Sequence, residues 1–157
     1  MKLTVRTSGF RELDAALKQF KKSTAKGVMR RALKAAAQPM ADLGSSLAPR
    51  GDTETLAPSV TAGAKLSKRQ KAMHRKMFRS DKASVEMFVG AGPLSSAHNQ
   101  EFGNINHGAQ PFMRPAWDRE AKPTLARLGD EMGKEIDKTA KRVPARAAKL
   151  QRKDYQL

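Results

Sequence analysis

The sequence predicts an α+β domain in which a small antiparallel sheet packs with two long amphipathic helices, one in the N-terminal helical region and one at the C-terminal end. Two observations predict this class. Apolar residues recur every three or four positions in the first and last thirds of the chain, and they alternate with polar residues in short segments elsewhere. Because 157 residues suffice for one modest core, we expect one domain over residues 1–144, followed by a basic, flexible tail over residues 145–157.

The N-terminal helical region is predicted from two consecutive apolar stripes. The first connects Phe10 to Phe20 at helical spacing, and the second continues from Val28 to Leu47. Pro39 falls inside the second stripe and is expected to kink that helix, because proline removes one backbone donor and its ring crowds the preceding turn. The pattern therefore indicates two helices, which could be continuous with each other.

The C-terminal helix is predicted to begin at Pro115, where the amide donor that proline lacks would have no partner in any case. Its apolar stripe runs from Trp117 to Val143, and Pro144 is expected to end it. Aromatic residues make up only 5% of the chain, so Trp117 and the six phenylalanines are expected to be the largest side chains of the core.

Short extended segments are predicted before and around a basic helix. Residues 3–5 alternate between apolar and polar side chains, as do residues 84–90, and residues 55–65 are expected to be extended as well. Between the last two segments, residues 67–79 can form a basic helix, although their apolar stripe is short; the alternative is a loop that stays mobile until a partner neutralises its charge. These segments supply the strands of the predicted sheet.

The charge balance predicts a partner that carries negative charge. The chain has 31 Lys+Arg against 15 Asp+Glu, a formal net charge of +16, which suits nucleic acid or an acidic protein surface. The densest basic block supplies the residues that we expect to contact DNA or an acidic partner: Lys68, Arg69, Lys71, Arg75 and Lys76. The chain has no cysteine, no apolar run of membrane-spanning length and no recognisable signal peptide, so synthesis in a reducing cytoplasm is expected.

Catalytic and cofactor motifs are poorly supported. His98, Glu101 and His107 could converge on a metal, but their spacing fits no compact zinc motif. The Gly-Ala-Gly step at 90–92 lacks the third glycine and the lysine of phosphate-binding loops. We therefore predict no enzyme activity, no cofactor and no metal, and a role in binding and assembly.

Two segments near the last helix are unusual: residues 97–104 and residues 111–117. Phe102 is an apolar anchor at a helix end, and Gly103 can adopt the positive φ that ends a helix. Physical reasoning alone favours packing of this loop within its own domain. However, Glu-Phe-Gly at 101–103, a polar loop and Pro-Phe-Met-Arg-Pro-Ala at 111–116 resemble the neck and tail-completion proteins of long-tailed bacteriophages, a family labelled as a phage tail component.

The resemblance extends over most of the chain. Motifs in the same order are Gly-Phe at 9–10, Arg-Ala-Leu at 31–33, Ala-Pro at 48–49, an apolar step at 56–60 and Phe-Val-Gly at 88–90. Thr-Glu-Thr at 53–55 replaces the usual Thr-Gly of the family, and Asn104 stands where threonine is common. These departures affect the expected geometry of the local turns more than the resemblance to the family.

The resemblance implies a virion protein at the head–tail junction. Several copies would form a ring between the portal side of the capsid and the tail tube, touching head-closure and tail-terminator or tail-tube proteins, and double-stranded DNA would pass through the lumen with non-specific contacts. It also implies candidates for subunit or structural contacts: Glu101, Phe102, Gly103, Phe112, Met113 and Arg114.

Several alternatives remain at the level of sequence. Within the phage interpretation, the chain could be a tail terminator or a minor tail protein. A free-standing basic DNA-binding architectural protein would share the composition. A metal-dependent nuclease would require His98, Glu101 and His107 to lie together.

Overall fold

The computed structural model describes residues 10–18, 20–51, 54–78 and 85–154, and the side chains from residue 11 to residue 142 of these ranges. The helices and strands in chain order are α1 (Phe10–Lys18), α2 (Lys22–Leu47), α3 (Leu56–Ser59), β1 (Thr61–Gly63), α4 (Lys68–Met77), β2 (Phe88–Gly90), α5 (Ser95–Phe102) and α6 (Met113–Asp154). The α+β class with two long helices and a small antiparallel sheet is confirmed. The predicted strand at residues 3–5 lies outside the described residues.

The packing of α2 against α6 is the main tertiary contact of the chain. Val28 and Ala32 of α2 are fully buried against Met132 and Ile136 of α6, and α1 adds Leu17 to the same cluster. Small side chains on α2 let the two backbones approach closely, because an alanine projects only a methyl group between helices. Among the described elements, α3, β1 and β2 also contact α2, and α1 contacts both long helices.

Polar contacts join α2 and α6 at the edge of this interface. Arg31 forms an ion pair with Glu135 through its Nε, and its Nη2 donates a hydrogen bond to the hydroxyl oxygen of Thr139 at 3.3 Å. Arg127 forms an ion pair with Glu120 within α6, and its Nε lies 3.4 Å from the carbonyl oxygen of Ala36. These contacts fix the alignment of the two helices along their length.

The prolines end neither long helix. Pro39 lies inside α2, which continues to Leu47. The last helix, α6, begins at Met113, two residues before the predicted start at Pro115. The prediction that it ends at Pro144 was wrong, because α6 extends to Asp154. Alanine, lysine, arginine and leucine follow Pro144, and these strong helix formers favour continuation of the helix. The division of the chain into a domain and a tail stays a prediction.

The sheet consists of two antiparallel strands in the described part of the chain. β1 pairs with β2 in a register that places Ala62 opposite Val89. The predicted extended segment at 55–65 was partly wrong, because Leu56–Ser59 forms a helical turn. Pro58 explains this, since it cannot donate to a strand ladder and fits the first turn of a helix. The strand predicted over residues 84–90 is confirmed at its last three residues.

Large aromatic side chains contribute less to the core than predicted. Trp117 is 61% exposed and Phe102 is 60% exposed, whereas Phe112 is the largest fully buried side chain among the described residues. Phe112 packs with Ala48, Leu56 and Val60 in a second cluster beside the α2–α6 interface. Among the described residues, the core therefore consists largely of alanine, together with valine, leucine and methionine.

The predicted basic helix is confirmed as α4. The Ser67 hydroxyl accepts a hydrogen bond from the Gln70 backbone N–H at 3.3 Å, and the Gln70 Oε1 accepts one from the Ser67 N–H at 3.1 Å. This capping box satisfies two backbone donors that would otherwise lack partners, so the helix begins at Lys68 without support from a buried face. None of the helices in the described ranges is long and apolar enough to span a membrane.

Candidate functional site

A buried carboxylate organises the loop that leads into α6. Glu101, near the end of α5, is 6% exposed. Its Oε2 accepts hydrogen bonds from the backbone N–H groups of Phe112 at 2.8 Å and Met113 at 2.9 Å. Its Oε1 accepts from the backbone N–H of Arg114 at 3.1 Å and from the Arg114 Nε at 2.9 Å. Glu101 therefore acts as a cap from outside the helix, because it satisfies amide donors of the first turn of α6.

Arg114 contacts both the side chain and the backbone of Glu101. The Arg114 Nη2 also donates to the backbone carbonyl oxygen of Glu101 at 2.6 Å. Burial alone would raise the pKa of Glu101, but the hydrogen bonds from Met113, Phe112 and Arg114 outweigh it and hold the pKa below its ordinary value of 4.5. The carboxylate is therefore ionised at neutral pH, and its acceptor oxygens are already engaged within the chain.

Gly103 ends α5 in the conformation that the sequence predicted. Its φ is +76°, and its N–H donates to the carbonyl oxygen of Asn99 at 2.8 Å. A Cβ at this position would lie 2.9 Å from the backbone nitrogen of Ala109, so a side chain has no room. The loop then closes on itself, because the N–H of Asn104 donates to the carbonyl oxygen of His107 at 3.0 Å.

Of the six candidates for subunit or structural contacts, Glu101 and Phe112 are buried, Gly103 and Met113 are partly buried, and Phe102 and Arg114 are exposed. Phe112 is 1% exposed and belongs to the core of its own chain, and Met113 packs beside it. These two residues therefore make structural contacts within the chain. Phe102 and Arg114 remain exposed, and the Arg114 guanidinium lies 5.2 Å from the centroid of the Phe102 ring, within cation–π range. Contact with another subunit stays a prediction for this exposed pair.

The five predicted cationic residues all lie on α4 and are all exposed. No residue of α4 is buried. The helix contacts the sheet through His74, whose ring lies 5.2 Å from the ring of Phe88 and whose Nε2 lies 3.7 Å from the Glu86 carboxylate. Within the described ranges, the five cations form no ion pair with a carboxylate: Lys68, Arg69, Lys71, Arg75 and Lys76.

The two predicted sites meet across one open groove of about 860 Å³. Lys68, Arg69 and Met73 of α4 line one side, whereas Leu94 and Phe102, before and within α5, line the other. The sequence contained no signal for this arrangement, because the two segments are far apart along the chain and neither has an apolar stripe that faces the other. Tertiary packing alone brings them together.

The histidines considered for a metal site serve other contacts. The His98 ring lies 4.9 Å from the ring of Phe102, and the His107 Nδ1 lies 2.9 Å from the carbonyl oxygen of Gly108. The Glu101 oxygens are engaged by backbone donors. Among the residues that the structure describes, no group of three His, Cys, Asp or Glu side chains is placed to hold a metal ion.

Trp117 is an interaction candidate that sequence reasoning assigned to the core. The buried face at the start of α6 passes through Phe112 and Ala116, and Trp117 lies about 100° around the helix from Ala116. Its charged neighbours Asp118 and Arg119 are the signal that could have indicated an exposed position. A large exposed aromatic side chain is typical of contact surfaces.

The geometry defines a class of protein: a small, mainly helical chain that presents a basic helix and exposed aromatic residues on a packed helical pair. Residues 11–103, which span nearly all of α1 and the elements from α2 to α5, match the model of the HK97-gp10-like family, described as "Bacteriophage HK97-gp10, putative tail-component". Because this match covers more than half of the chain, the chain belongs to that family of phage tail components, and the resemblance found in the sequence is confirmed. No curated protein and no solved structure is significantly similar to it.

Proposed function

We propose that this chain is a ring-forming neck or tail-completion subunit, which joins the DNA-filled head to the tail and surrounds the DNA channel. Its family of phage tail components supports a structural role in the virion rather than a catalytic one. The proposal goes further than the family description by naming the head–tail junction, a ring of identical subunits and contact with the genome.

The observation that carries the proposal is the exposed basic face of α4. Lys71 and Arg75 lie four residues apart and therefore share one face of the helix, and Lys76 follows Arg75; we call these three residues, none of which lines the groove, the outer basic face of α4. Cations without carboxylate partners suit phosphate oxygens, which provide affinity without reading the base sequence. A lumen that DNA traverses requires this kind of non-specific contact.

Exposed apolar side chains support assembly with neighbouring subunits. Phe102 and Trp117 are more than half exposed, and Ile105 is fully exposed. Aromatic residues and arginine are enriched among the residues that carry binding energy at protein interfaces. We assign Phe102, Trp117 and Arg114 to contacts with ring neighbours or with the adjoining head-closure and tail proteins.

Charge reversal on α4 in phage particles tests the proposal. Lys71, Arg75 and Lys76 do not line the groove, so replacing all three with glutamate changes the outer basic face of α4 alone. We expect filled heads and finished tails to accumulate unjoined, or joined particles to lose their DNA. The matched control replaces Lys21, Lys22 and Lys34, which are also exposed, and changes the net charge equally. A normal particle yield from the α4 variant would contradict the proposal.

Electron microscopy of particles that lack the protein distinguishes the alternatives within the phage. A joining subunit predicts complete tails beside filled heads. A tail terminator predicts tails of uncontrolled length, and a minor tail protein predicts joined particles with a defective tail. A free-standing DNA-binding protein predicts assembled particles in normal numbers.

A further inference from the structure

We propose that the groove between α4 and α5 binds an acidic amphipathic segment of a different virion protein. The inference deepens the proposed function and rests on it only for where that protein is found. The groove measures about 860 Å³, and its lining combines apolar side chains, among them Met73, Leu94 and Phe102, with the cations Lys68 and Arg69 at one rim. This combination matches a helix that carries large apolar side chains on one face and carboxylates along its edge.

The apolar part of the groove is accessible on both walls. Met73 on α4 is 55% exposed, Phe102 on α5 is 60% exposed, and Leu94, on the same side as Phe102, is half-buried. Phe112, at the floor, belongs to the core and fixes the base of the groove. A methionine side chain is flexible and an aromatic ring is rigid. Met73 can therefore adapt to the shape of a partner, whereas Phe102 provides a rigid contact.

The rim of the groove has an uncompensated positive charge. Lys68 and Arg69 form no ion pair within the described ranges. Among the described residues that line the groove, Glu101 is the one acidic residue, and its carboxylate is engaged by the amides of α6 and by Arg114. Because that carboxylate cannot turn toward the rim, a carboxylate from a partner is the complementary group.

Charge and polarity favour a foreign acidic protein over the other occupants. Duplex DNA offers phosphates to the rim, but it has no apolar face for Met73, Leu94 and Phe102. A second copy of this chain has about half as many carboxylates as cations, 15 Asp+Glu against 31 Lys+Arg, so its surface complements the basic rim less well than an acidic segment does. An acidic amphipathic segment satisfies the rim and the walls at the same time.

Binding of a designed peptide to the purified full-length chain tests the proposal. The probe is a fluorescently labelled synthetic peptide of about 15 residues, with leucine at helical spacing on one face and glutamate elsewhere. The control peptide has the same composition in a scrambled order that distributes the leucines around the helix. At an ionic strength of about 0.15 M, which screens non-specific attraction, we expect the amphipathic peptide to bind about tenfold more tightly than the scrambled one.

Two matched pairs of variants locate the binding site. Met73→Glu places a carboxylate on the groove wall, whereas Met77→Glu makes the same change on an exposed residue of α4 that does not line the groove. Arg69→Glu and Arg75→Glu form the corresponding pair for charge. We expect Met73→Glu and Arg69→Glu each to weaken binding about tenfold, and Met77→Glu and Arg75→Glu to change it less than about threefold.

Each other outcome overturns the proposal. Equal binding of the two peptides, or equal losses within both pairs, would assign the attraction to surface charge alone. Displacement of the peptide by duplex DNA in a manner that depends on Met73 would assign the groove to nucleic acid. Self-association that Met73→Glu abolishes would assign it to a second copy. All these measurements use purified protein, so they are independent of whether α4 charge reversal prevents head–tail joining in particles.

Discussion

Glu101 shows how one side chain can determine the geometry of a surface. An isolated helix leaves its first amide donors unsatisfied, and α6 satisfies several of them with a carboxylate that belongs to another helix. The same carboxylate holds Arg114 beside Phe102. Removal of its charge should therefore change both the stability of the chain and the surface next to the groove.

Replacement of Glu101 by glutamine should destabilise the chain by about 2–3 kcal/mol, because the amide nitrogen of glutamine would face an N–H donor in a buried position. Urea unfolding followed by circular dichroism measures this difference. The control is Glu131→Gln, which removes an i,i+3 pair with the exposed Lys134 and should change stability very little, because solvent screens that pair. Equal losses of stability in the two variants would show that the hydrogen bonds accepted by Glu101 stabilise the chain no more than an exposed ion pair does.

The pH dependence of this difference follows from the direction of the shift. The pKa of Glu101 is lower in the folded chain than its ordinary value of 4.5, so the unfolded chain binds the proton more tightly. The stabilisation is fully present above the ordinary pKa and is lost as the pH falls through the folded pKa. The stability difference between the wild type and Glu101→Gln should therefore be constant from pH 7 to about pH 5 and shrink at lower pH. A difference that grows on acidification would contradict this assignment.

Gly103 sets the path of the loop because no other residue fits its backbone conformation. With φ at +76° and the backbone of Ala109 beside the missing Cβ, Gly103→Ala should lower stability by about 1–3 kcal/mol. Gly133→Ala is the matched control, because Gly133 lies inside α6 with open space around its Cβ position and should gain up to about 1 kcal/mol. Thermal unfolding of the two variants should shift the midpoint in opposite directions.

At the scale of elements, the close approach of α2 and α6 depends on small side chains at their interface. Ala32 is fully buried, so Ala32→Leu should destabilise the chain by about 1–3 kcal/mol through overpacking. Ala35 lies on the exposed side of the same helix, and Ala35→Leu should have little effect. Chemical unfolding measures both variants, and tolerance of leucine at position 32 would show that the interface is loosely packed.

The helices could be predicted from local patterns, whereas their exact ends could not. The stripe from Val28 to Leu47 predicted α2, and the capping box at Ser67 explains why α4 forms without a buried face. The end of α6 differs from the predicted end at Pro144 because the residues after this proline are strong helix formers and continue the helix. Local rules compete at such positions, and the outcome depends on the summed preferences of the neighbouring residues.

At the scale of the whole molecule, the charge of +16 predicts binding to duplex DNA that depends strongly on salt. Replacement of Lys71, Arg75 and Lys76 by glutamate should reduce the slope of log K against log salt by up to about 2.7, at about 0.9 for each phosphate that is no longer neutralised. The control variant with glutamate at Lys21, Lys22 and Lys34 should retain most of the slope. Fluorescence anisotropy with a labelled duplex at several salt concentrations measures these slopes, and equal slopes for the two variants would contradict a role for α4 in DNA binding.

Local spacing, composition and motif order were enough to predict the class of fold, the long helices, the basic helix and the family of phage tail components. Tertiary packing, in contrast, decided that Phe112 lies in the core while Trp117 is exposed, since a shift of one residue turns a helix by about 100°. It also decided that Arg69 and Phe102 line one groove. Such proximity depends on how α2, α6 and the sheet pack, and no local pattern contains that information.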